Sequence, residues 1–246
     1  MSSPPPVALV TGSARRVGAA IARQLHAAGY DLALHYRDSH AAAEELAAEL
    51  EAHRPGSTWT VRADLTEFDR LPEIVAGAIG RFGRLDALVN NASSYYATPI
   101  GATTPTQWDD LFATNARAPF FLSQAAAPHL GATRGAIVNL ADIYAERPLG
   151  GHTVYCMAKA ALVMMTKSLA RELGPGVRVN AVAPGNVLWS DNPVKAETAE
   201  LVRERTALQR QGSPEDIASA ALWLLQGNDY VTGQVLAIDG GRSVFI

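Results

Sequence analysis

The sequence predicts an α/β protein with a Rossmann-type, doubly wound sheet of about seven parallel strands and helices on both faces. Short apolar runs alternate with Ala-rich helical stretches along the whole chain, an order typical of consecutive β-α units. The run Ala87–Asn90 shows no polar alternation, which indicates a strand buried on both faces. With 246 residues, of which 48% are hydrophobic, the chain can fill one large core. We therefore expect a single domain over residues 1–246.

The predicted elements follow one another in regular order. Strands are expected at Val7–Thr11, Asp31–Tyr36, Ser57–Arg62, Ala87–Asn90, Gly135–Leu140, Val177–Val182 and Gln234–Ile238. Helices are expected at Arg16–Ala28, Ala41–Ala52, Glu67–Phe82, Thr106–His129, Val154–Leu173 and Pro214–Gln226, with an irregular and helical excursion over 186–211. Pro119 and Pro128 require kinks or breaks, because proline removes a helical hydrogen bond. Residues 1–6 are expected to form a flexible tail.

The composition excludes several classes of protein. The net charge is −3 and the basic residues do not cluster, so nucleic-acid binding is not expected. The apolar runs are too short to span a membrane, and the start of the chain lacks the basic and apolar regions of a signal peptide. The single cysteine, Cys156, excludes an intrachain disulfide and is interpreted as a packing residue in a reducing cytoplasm. We predict a cytoplasmic protein without a metal site.

A tyrosine and a lysine on one predicted helix carry the first functional signal. Tyr155 and Lys159 are four positions apart, so their side chains lie on one helix face, one turn from each other. A neighbouring ammonium favours the phenolate, so Lys159 is expected to lower the pKa of Tyr155 and help it to release a proton. For an isolated pair the alternative is a tyrosine at the edge of the core and a solvated lysine.

Asp142 stands thirteen positions before Tyr155. A Tyr-x-x-x-Lys pair with a polar residue at this distance resembles the short-chain dehydrogenase/reductase family, in which the upstream residue donates a hydroxyl hydrogen bond to a substrate carbonyl. An ionised carboxylate can only accept hydrogen bonds. Asp142 therefore argues against a ketone and favours a nitrogen heterocycle that presents N–H donors. The alternative is an aspartate that caps a helix or braces a loop.

A glycine-containing turn follows the first predicted strand and opens a helix. Gly12 permits a tight turn, Gly18 allows close packing, and the helix N-terminus, which includes Val17, can receive a pyrophosphate. The family pattern has three glycines here, and Arg16 occupies the place of the middle one, facing the cofactor phosphates. The alternative is that both glycines serve only the turn and the packing.

The second strand ends with His35, Tyr36, Arg37, Asp38 and Ser39. NAD-dependent proteins of this fold place an acidic residue at the strand end to bind the ribose hydroxyls. Arg37, with Ser39 and Arg16 nearby, instead suits an adenosine 2′-phosphate. We predict NADPH/NADP as the cofactor, bound by these residues and by His35 and Tyr36, with Asp38 as a competitor for the arginine.

The family resemblance implies further residues at the ends of the later strands. Asp64 and Leu65 would hold the adenine ring, and Pro184 and Gly185 would flank the nicotinamide. Asn91, Ala92 and Ser93 match the family's turn after the fourth strand, with serine in place of glycine. Asn115 matches the asparagine that anchors a water for proton delivery to the lysine.

Several departures from the general family pattern resemble the pteridine reductases, namely Arg16, the His-Tyr-Arg-x-Ser turn, the Asn-Ala-Ser-Ser-Tyr segment and Asp142. This resemblance implies that Tyr95 stacks on a pterin, that Ser93 and Arg16 reach it, and that Asp142 and Tyr155 lie at the catalytic positions with Lys159. Leu188 and Trp189 fall in the region 186–211 that usually forms the lid over the substrate; Trp189 packs over the substrate or within the lid. Candidate substrates are dihydrobiopterin, dihydromonapterin, dihydrofolate or a quinonoid form.

Two other functions stay open at this stage. A carbonyl or 3-oxoacyl reductase would share all of these sequence features except Asp142 and the Asn-Ala-Ser-Ser-Tyr segment. A scaffold that binds NADPH without turnover is the second alternative, against which Asn115, Tyr155 and Lys159 argue. The segment Thr232–Gly241 resembles the family's last strand, which packs across a two-fold axis in relatives, so a homotetramer is expected.

Overall fold

A computed structural model describes residues 4–187 and 196–244. Its sheet has seven strands in the order β3-β2-β1-β4-β5-β6-β7, and every neighbouring pair is parallel. Helices cover both faces of this sheet, because parallel strands must be joined by crossovers that run over one face or the other. The predicted Rossmann-type α/β fold is confirmed.

The strands lie close to their predicted positions. They are β1 (Val7–Val10), β2 (Asp31–Tyr36), β3 (Thr58–Arg62), β4 (Ala87–Asn90), β5 (Ala136–Leu140), β6 (Arg178–Pro184) and β7 (Val235–Ile238). The helices are α1 (Arg16–Ala27), α2 (His40–His53), α3 (Leu71–Phe82), α4 (Pro105–Phe112), α5 (Ala118–Thr133), α6 (Thr153–Leu173), α7 (Ala196–Glu204) and α8 (Pro214–Leu222). Helix α7 lies in the region expected to form the lid. In the described ranges, no helix is both long and apolar enough to cross a membrane.

The two faces of the sheet bury separate apolar cores. In β1, Ala8 and Val10 join the core that the sheet shares with α1, α2 and α8. Val7 and Leu9 join the opposite core, which the sheet shares with α3, α5 and α6. This alternation follows from the two-residue period of a strand. All four residues of β1 are buried, so the central strand is a continuous apolar run without a polar side.

The candidate functional site lies where the strand order of the sheet reverses. The chain moves outward from β1 to β3, returns to place β4 beside β1, and then moves outward in the other direction. Successive crossovers therefore leave β1 and β4 on opposite sides, which opens a crevice at their carboxyl ends. The turns that begin at Thr11 and at Asn91 border this crevice.

The prediction of one helix over Thr106–His129 was wrong in detail. Helix α4 is followed by a π-helical turn, Ala113–Arg117, and α5 then begins with Pro119 in its first turn. Proline is tolerated there because the first amides of a helix have no intrahelical acceptor. Pro128 lies inside α5, which continues to Thr133, so this proline does not end the helix.

Candidate active site

The turn after β1 is held close to α1 by two glycines. Gly12 adopts a φ of +61°, the left-handed region that glycine reaches without strain. A Cβ atom at Gly18 would lie 2.2 Å from the carbonyl oxygen of Gly12 and 2.6 Å from Nδ2 of Asn91. Helix α1 can therefore approach this turn only because position 18 has no side chain. No side chain caps the N-terminus of α1, and its first turn contains no acidic residue. Its first amides are thus suited to an anion.

Two residues predicted to bind cofactor, Asn91 and His35, have side chains that brace this turn. Asn91 donates from Nδ2 to the carbonyl oxygens of Thr11, at 2.8 Å, and Gly12, at 3.0 Å. His35 is buried, accepts from the Gly12 amide at Nδ1 (3.1 Å), and faces the Ala63 carbonyl with Nε2 (3.1 Å). Burial lowers the pKa of His35 to about 4, so the ring is neutral and carries its proton on Nε2. Because both ring nitrogens are occupied, the His35 side chain has a structural role in this turn, and the predicted contact of His35 with the cofactor stays a prediction.

Arg16 lies at the start of α1 with a φ of +54°. This left-handed conformation explains why a glycine is favoured at this position in the family pattern. The side chain is exposed at the crevice edge. Val17, beside it, is buried under the turn.

The turn after β2 places Arg37, Asp38 and Ser39 at the surface. Nε of Arg37 donates to Oδ2 of Asp38 at 2.7 Å, so the competition expected between these residues is present. The Tyr36 ring is buried, and its hydroxyl lies 2.8 Å from Nδ1 of His40. Ser39 precedes the first residue of α2 and makes no side-chain cap.

The remaining cofactor positions lie along the same edge of the sheet. Oδ1 of Asp64 accepts from the amide and the hydroxyl of Thr66, and these bonds lower the pKa of the carboxyl group. Leu65 is buried in the core under α3. Pro184 ends β6, and Gly185 passes so close to Asp239 that a Cβ would lie 2.6 Å from the Cβ of that residue. Leu188 and Trp189 lie outside the described residues.

Asp142, Tyr155 and Lys159 are brought together at the carboxyl end of β5. The Tyr155 hydroxyl donates to Oδ2 of Asp142 at 2.7 Å, and Oδ1 accepts from the Tyr144 amide at 2.9 Å. Lys159 is 2% exposed and donates from Nζ to the Leu140 carbonyl at 2.7 Å. Asp142 therefore caps the short 3₁₀ turn Ile143–Ala145 and also contacts the tyrosine. The capping aspartate that the sequence left open is therefore observed, and the catalytic role of Asp142 stays a prediction that its contact with Tyr155 permits.

The pKa values of Asp142, Tyr155 and Lys159 differ from those that the sequence led us to expect. Burial lowers the pKa of Lys159 to about 8, which the Asp142 carboxylate partly opposes. Burial and the adjacent carboxylate both raise the pKa of Tyr155, and burial raises the pKa of Asp142. Burial, and then the Asp142 carboxylate in contact with the hydroxyl, raise the pKa of Tyr155 in this structure, opposite to the decrease expected from Lys159. Tyr155 is a phenol that donates its proton to Asp142 in a hydrogen bond.

Asn115 lies in the π-helical turn, one of the segments that border this group. Its Nδ2 donates to the carbonyl oxygens of Ser94 and Leu111, both at 2.9 Å, and its Oδ1 accepts from the Ser93 hydroxyl at 2.7 Å. The Ser94 hydroxyl also contacts that of Thr114 at 3.2 Å. The π-helical turn therefore fixes the loop that follows β4, and with it the position of Ser93.

The rings of Tyr95, Tyr96 and His152 border the site, and we call them the aromatic wall. The sequence analysis did not single out Tyr96 or His152. Tyr95 is 55% exposed, meets the Tyr155 ring edge-on at 4.9 Å, and stacks on His152 at 4.9 Å with an interplanar angle of 12°. Tyr96 donates to Oδ2 of Asp110 at 2.8 Å. His152 lies three residues before Tyr155, one helical turn away, and this spacing is the signal that could have found it.

Comparison with known proteins identifies the family. A sequence profile described as Enoyl-(Acyl carrier protein) reductase matches residues 12–243. The chain is a short-chain dehydrogenase/reductase. Reductases of this family generally use NAD(P)H, and this short-chain dehydrogenase/reductase is an oxidoreductase.

The relatives of this short-chain dehydrogenase/reductase divide between two activities. Pteridine reductase 1 of Leishmania tarentolae is 40% identical, over 97% of this chain and 96% of the relative. The ketoacyl reductase 2 of the granaticin polyketide synthase from Streptomyces violaceoruber is also 40% identical, over 96% of this chain and 95% of the relative. A 3-oxoacyl-[acyl-carrier-protein] reductase of Staphylococcus epidermidis is 34% identical over 95% of this chain and 97% of its own length. Overall identity does not separate the two activities, so the site residues must.

Proposed function

We propose that this protein is an NADPH-dependent pteridine reductase that adds a hydride and a proton to a C=N bond of a dihydropterin or dihydrofolate and gives the tetrahydro form of the ring; a fully oxidised pterin would need two such steps. The observation that carries the proposal is the contact of 2.7 Å between Oδ2 of Asp142 and the Tyr155 hydroxyl. The hydroxyl that would steady a ketone oxygen is replaced here by a carboxylate. Such a group repels a polarised carbonyl oxygen but accepts hydrogen bonds from the amino and amide N–H groups of a pterin.

The cofactor positions fit a nicotinamide dinucleotide. Gly12, Arg16, Val17 and Gly18 would surround the pyrophosphate at the N-terminus of α1, which carries no side-chain cap. Arg37 and Ser39 would face the 2′-phosphate, and Tyr36 would line the same turn. The adenine and nicotinamide ends would lie at Asp64 and Leu65, at Asn91, Ala92 and Ser93, and at Pro184 and Gly185, with Tyr155 and Lys159 at the ribose. When bound, NADPH supplies the hydride.

The chain's own residues supply the proton and hold the substrate. Reduction of C=N to CH–NH requires one proton at the ring nitrogen, and Tyr155 holds one because its raised pKa keeps it a phenol. A pterin N–H that takes the place of the hydroxyl on Asp142 leaves Tyr155 free to donate to the ring. The Lys159 ammonium would stabilise the negative charge that develops on the Tyr155 oxygen as its proton leaves. Because the Asn115 side chain is occupied by Ser93 and Ser94, we assign Asn115 a positioning role.

Substrate binding is proposed to use one exposed face of the aromatic wall. Tyr95 would stack on the flat pterin, since offset stacking of aromatic faces contributes about 0.5–1.5 kcal/mol beyond area burial. Ser93 and Arg16 are exposed at the crevice and would contact polar atoms of the ring. Leu188 and Trp189 are proposed to belong to a lid over 186–211.

The second candidate is reduction of a 3-oxoacyl group, favoured by the ketoacyl reductases at 40% and 34% identity. To separate the two, NADPH oxidation would be measured in parallel with dihydrobiopterin, dihydrofolate and a simple 3-oxoacyl ester. We expect turnover of a pterin and none of the ester. Asp142→Ser should lower kcat/KM for the pterin about tenfold to a hundredfold, the cost of one hydrogen bond to a charged group. Turnover of the ester alone would assign an ordinary ketoreductase, and binding of NADPH without turnover of either substrate would assign a scaffold.

Two broader properties accompany this proposal. We propose a homotetramer, in keeping with the apolar carboxyl end of the chain; a monomeric mass in sedimentation would overturn it. We place the protein in the cytoplasm, because its single cysteine, Cys156, is buried with a free thiol and no partner for a disulfide.

A further inference from the structure

Strand β3 presents one polar side to α2. Thr58 bonds to Oε1 of Glu51 at 2.7 Å, and Thr60 bonds to Oε1 of Glu44 at 3.0 Å, so this side of the strand lies against α2. Arg62 shares the side, because side chains on a strand alternate with a period of two. As the last residue of β3, it lies beside the residues that precede α2. Its register partner on β2 is Tyr36, immediately before Arg37.

The Arg62 guanidinium is fixed at that turn. Its Nε donates to the carbonyl oxygen of Arg37 at 3.2 Å, and the side chain is exposed. With Nε engaged by that carbonyl, the two terminal nitrogens carry the remaining N–H donors of the guanidinium. A planar guanidinium held in this way suits a phosphate monoester, which takes two parallel N–H donors.

Arg37 should attract a phosphate more weakly than its position at the end of β2 implies. Its Nε is bonded to Asp38 at 2.7 Å, and 54% and 69% of the two side chains are exposed. The pair carries no net charge, and an incoming phosphate must compete with the Asp38 carboxylate for the same arginine. Asp64 and Asp110 also act on Arg37 and raise its pKa. On α2, Glu44 is bonded to Thr60 and lies 4.0 Å from His40. The first turn of α2 contains no acidic residue.

We infer that Arg62, more than Arg37, supplies the positive charge that distinguishes a cofactor with a 2′-phosphate from one without. The inference rests on the proposed use of NADPH, and it names a specificity-determining residue at the end of β3. Arg37 also holds Arg62 through its backbone carbonyl, and Asp38 weakens the contribution of the Arg37 side chain to phosphate binding.

The test is direct binding, without turnover. Dissociation constants of NADPH and NADH for the full chain would be measured by fluorescence titration in wild type, Arg62→Gln, Arg62→Lys, Arg37→Gln and Asp38→Asn. Arg171→Gln is the matched control, because Arg171 is an exposed arginine in the last turn of α6, remote from the carboxyl edge of the sheet. Circular dichroism would verify that each variant folds.

Arg62→Gln should weaken NADPH binding about tenfold, the effect of losing one charge-assisted hydrogen bond, and leave NADH unchanged. Arg62→Lys should recover part of the loss, Arg37→Gln should lose less, and Asp38→Asn should bind NADPH more tightly. If wild type prefers NADPH and Arg62→Gln retains that preference, the role of Arg62 is overturned while the proposed cofactor stands. Equal affinity of wild type for NADPH and NADH would overturn both.

Discussion

His35 and Lys159 are two buried basic side chains at the carboxyl edge of one sheet, and the structure uses them in opposite ways. His35 has both ring nitrogens bonded to backbone groups, and burial lowers its pKa to about 4, so it is neutral at physiological pH. Lys159 has one acceptor among the described residues, Leu140, and its pKa falls only to about 8 because Asp142 opposes the effect of burial. It therefore keeps most of its charge near neutral pH.

The difference separates residues that set shape from residues that can do chemistry. Around His35, donors and acceptors are matched, and the result is a fixed turn for the cofactor. Around Lys159, a carboxylate, a phenol and an ammonium occupy one buried region, and their pKa values are displaced. Displaced pKa values concentrate at functional sites because catalysis needs groups that exchange protons at the working pH. Substitutions around His35 should therefore change mainly stability, and substitutions around Lys159 should change mainly the rate.

Removal of the Tyr155 hydroxyl should have the largest effect. Tyr155→Phe keeps the ring beside Tyr95 and Lys159 but removes the proton donor and its bond to Asp142. We expect kcat for the preferred substrate to fall about 10²–10⁴-fold, the range for loss of a general acid. Thermal stability should fall modestly, because Oδ2 of Asp142 loses its donor while Oδ1 keeps the Tyr144 amide. A variant with nearly normal kcat would mean that another group delivers the proton.

His35 should govern stability rather than rate. Its folded pKa of about 4 lies below the ordinary value of 6.5, so between these pH values the unfolded chain binds more protons and stability falls as pH falls. At about 1.4 kcal/mol per pH unit, the contribution lost by pH 4 is about 3 kcal/mol. His35→Asn keeps an acceptor for the Gly12 amide but cannot titrate. Denaturant unfolding from pH 7 to pH 4 should therefore show a shallower slope for His35→Asn than for wild type; identical slopes would contradict the buried neutral ring.

Lys159 should appear in the pH profile of the reaction. Above pH 8 the ammonium loses its proton, and kcat/KM should fall about tenfold per pH unit, as for a single ionisation. The Asp142 carboxylate raises the pKa of Lys159, so the residual activity of Asp142→Asn should begin to fall at a lower pH than that of wild type. An alkaline limb that does not move in Asp142→Asn would assign the ionisation to another group.

The sequence was most informative where backbone geometry dictates residue type. The order of apolar runs predicted all seven strands, and Gly12 and Gly18 marked a turn and a close approach that no larger residue permits. The four-residue spacing of Tyr155 and Lys159 placed both on one face of α6. Such periodic or steric requirements can be read locally, without knowledge of tertiary contacts.

The sequence was least informative where a role depends on what surrounds a side chain. His35 was assigned to the cofactor because of its position, and only the contacts with Gly12 and Ala63 show that both nitrogens are occupied. The pKa of Tyr155 was expected to fall because Lys159 lies one turn away, but burial raises it, and so does the carboxylate of Asp142, which is thirteen positions distant in the chain and in direct contact. Competition between charges depends on distances that spacing along the chain does not determine.

Tyr96 should have the smallest effect, and it tests how firmly the aromatic wall is held. Its hydroxyl donates to Oδ2 of Asp110 at 2.8 Å and contacts the Gln107 carbonyl at 3.2 Å, which ties the residue after Tyr95 to α4. Burial and the carboxylate raise the pKa of Tyr96 to about 12, so the donor persists across the assay range. Tyr96→Phe should raise KM for the pterin about threefold to tenfold, matching the net value of one hydrogen bond, and leave kcat unchanged. Tyr230→Phe, at a fully exposed tyrosine, should change neither parameter. A fall in kcat with constant KM would place Tyr96 in the proton-transfer step instead, because a residue that only positions the stacking ring acts on substrate binding.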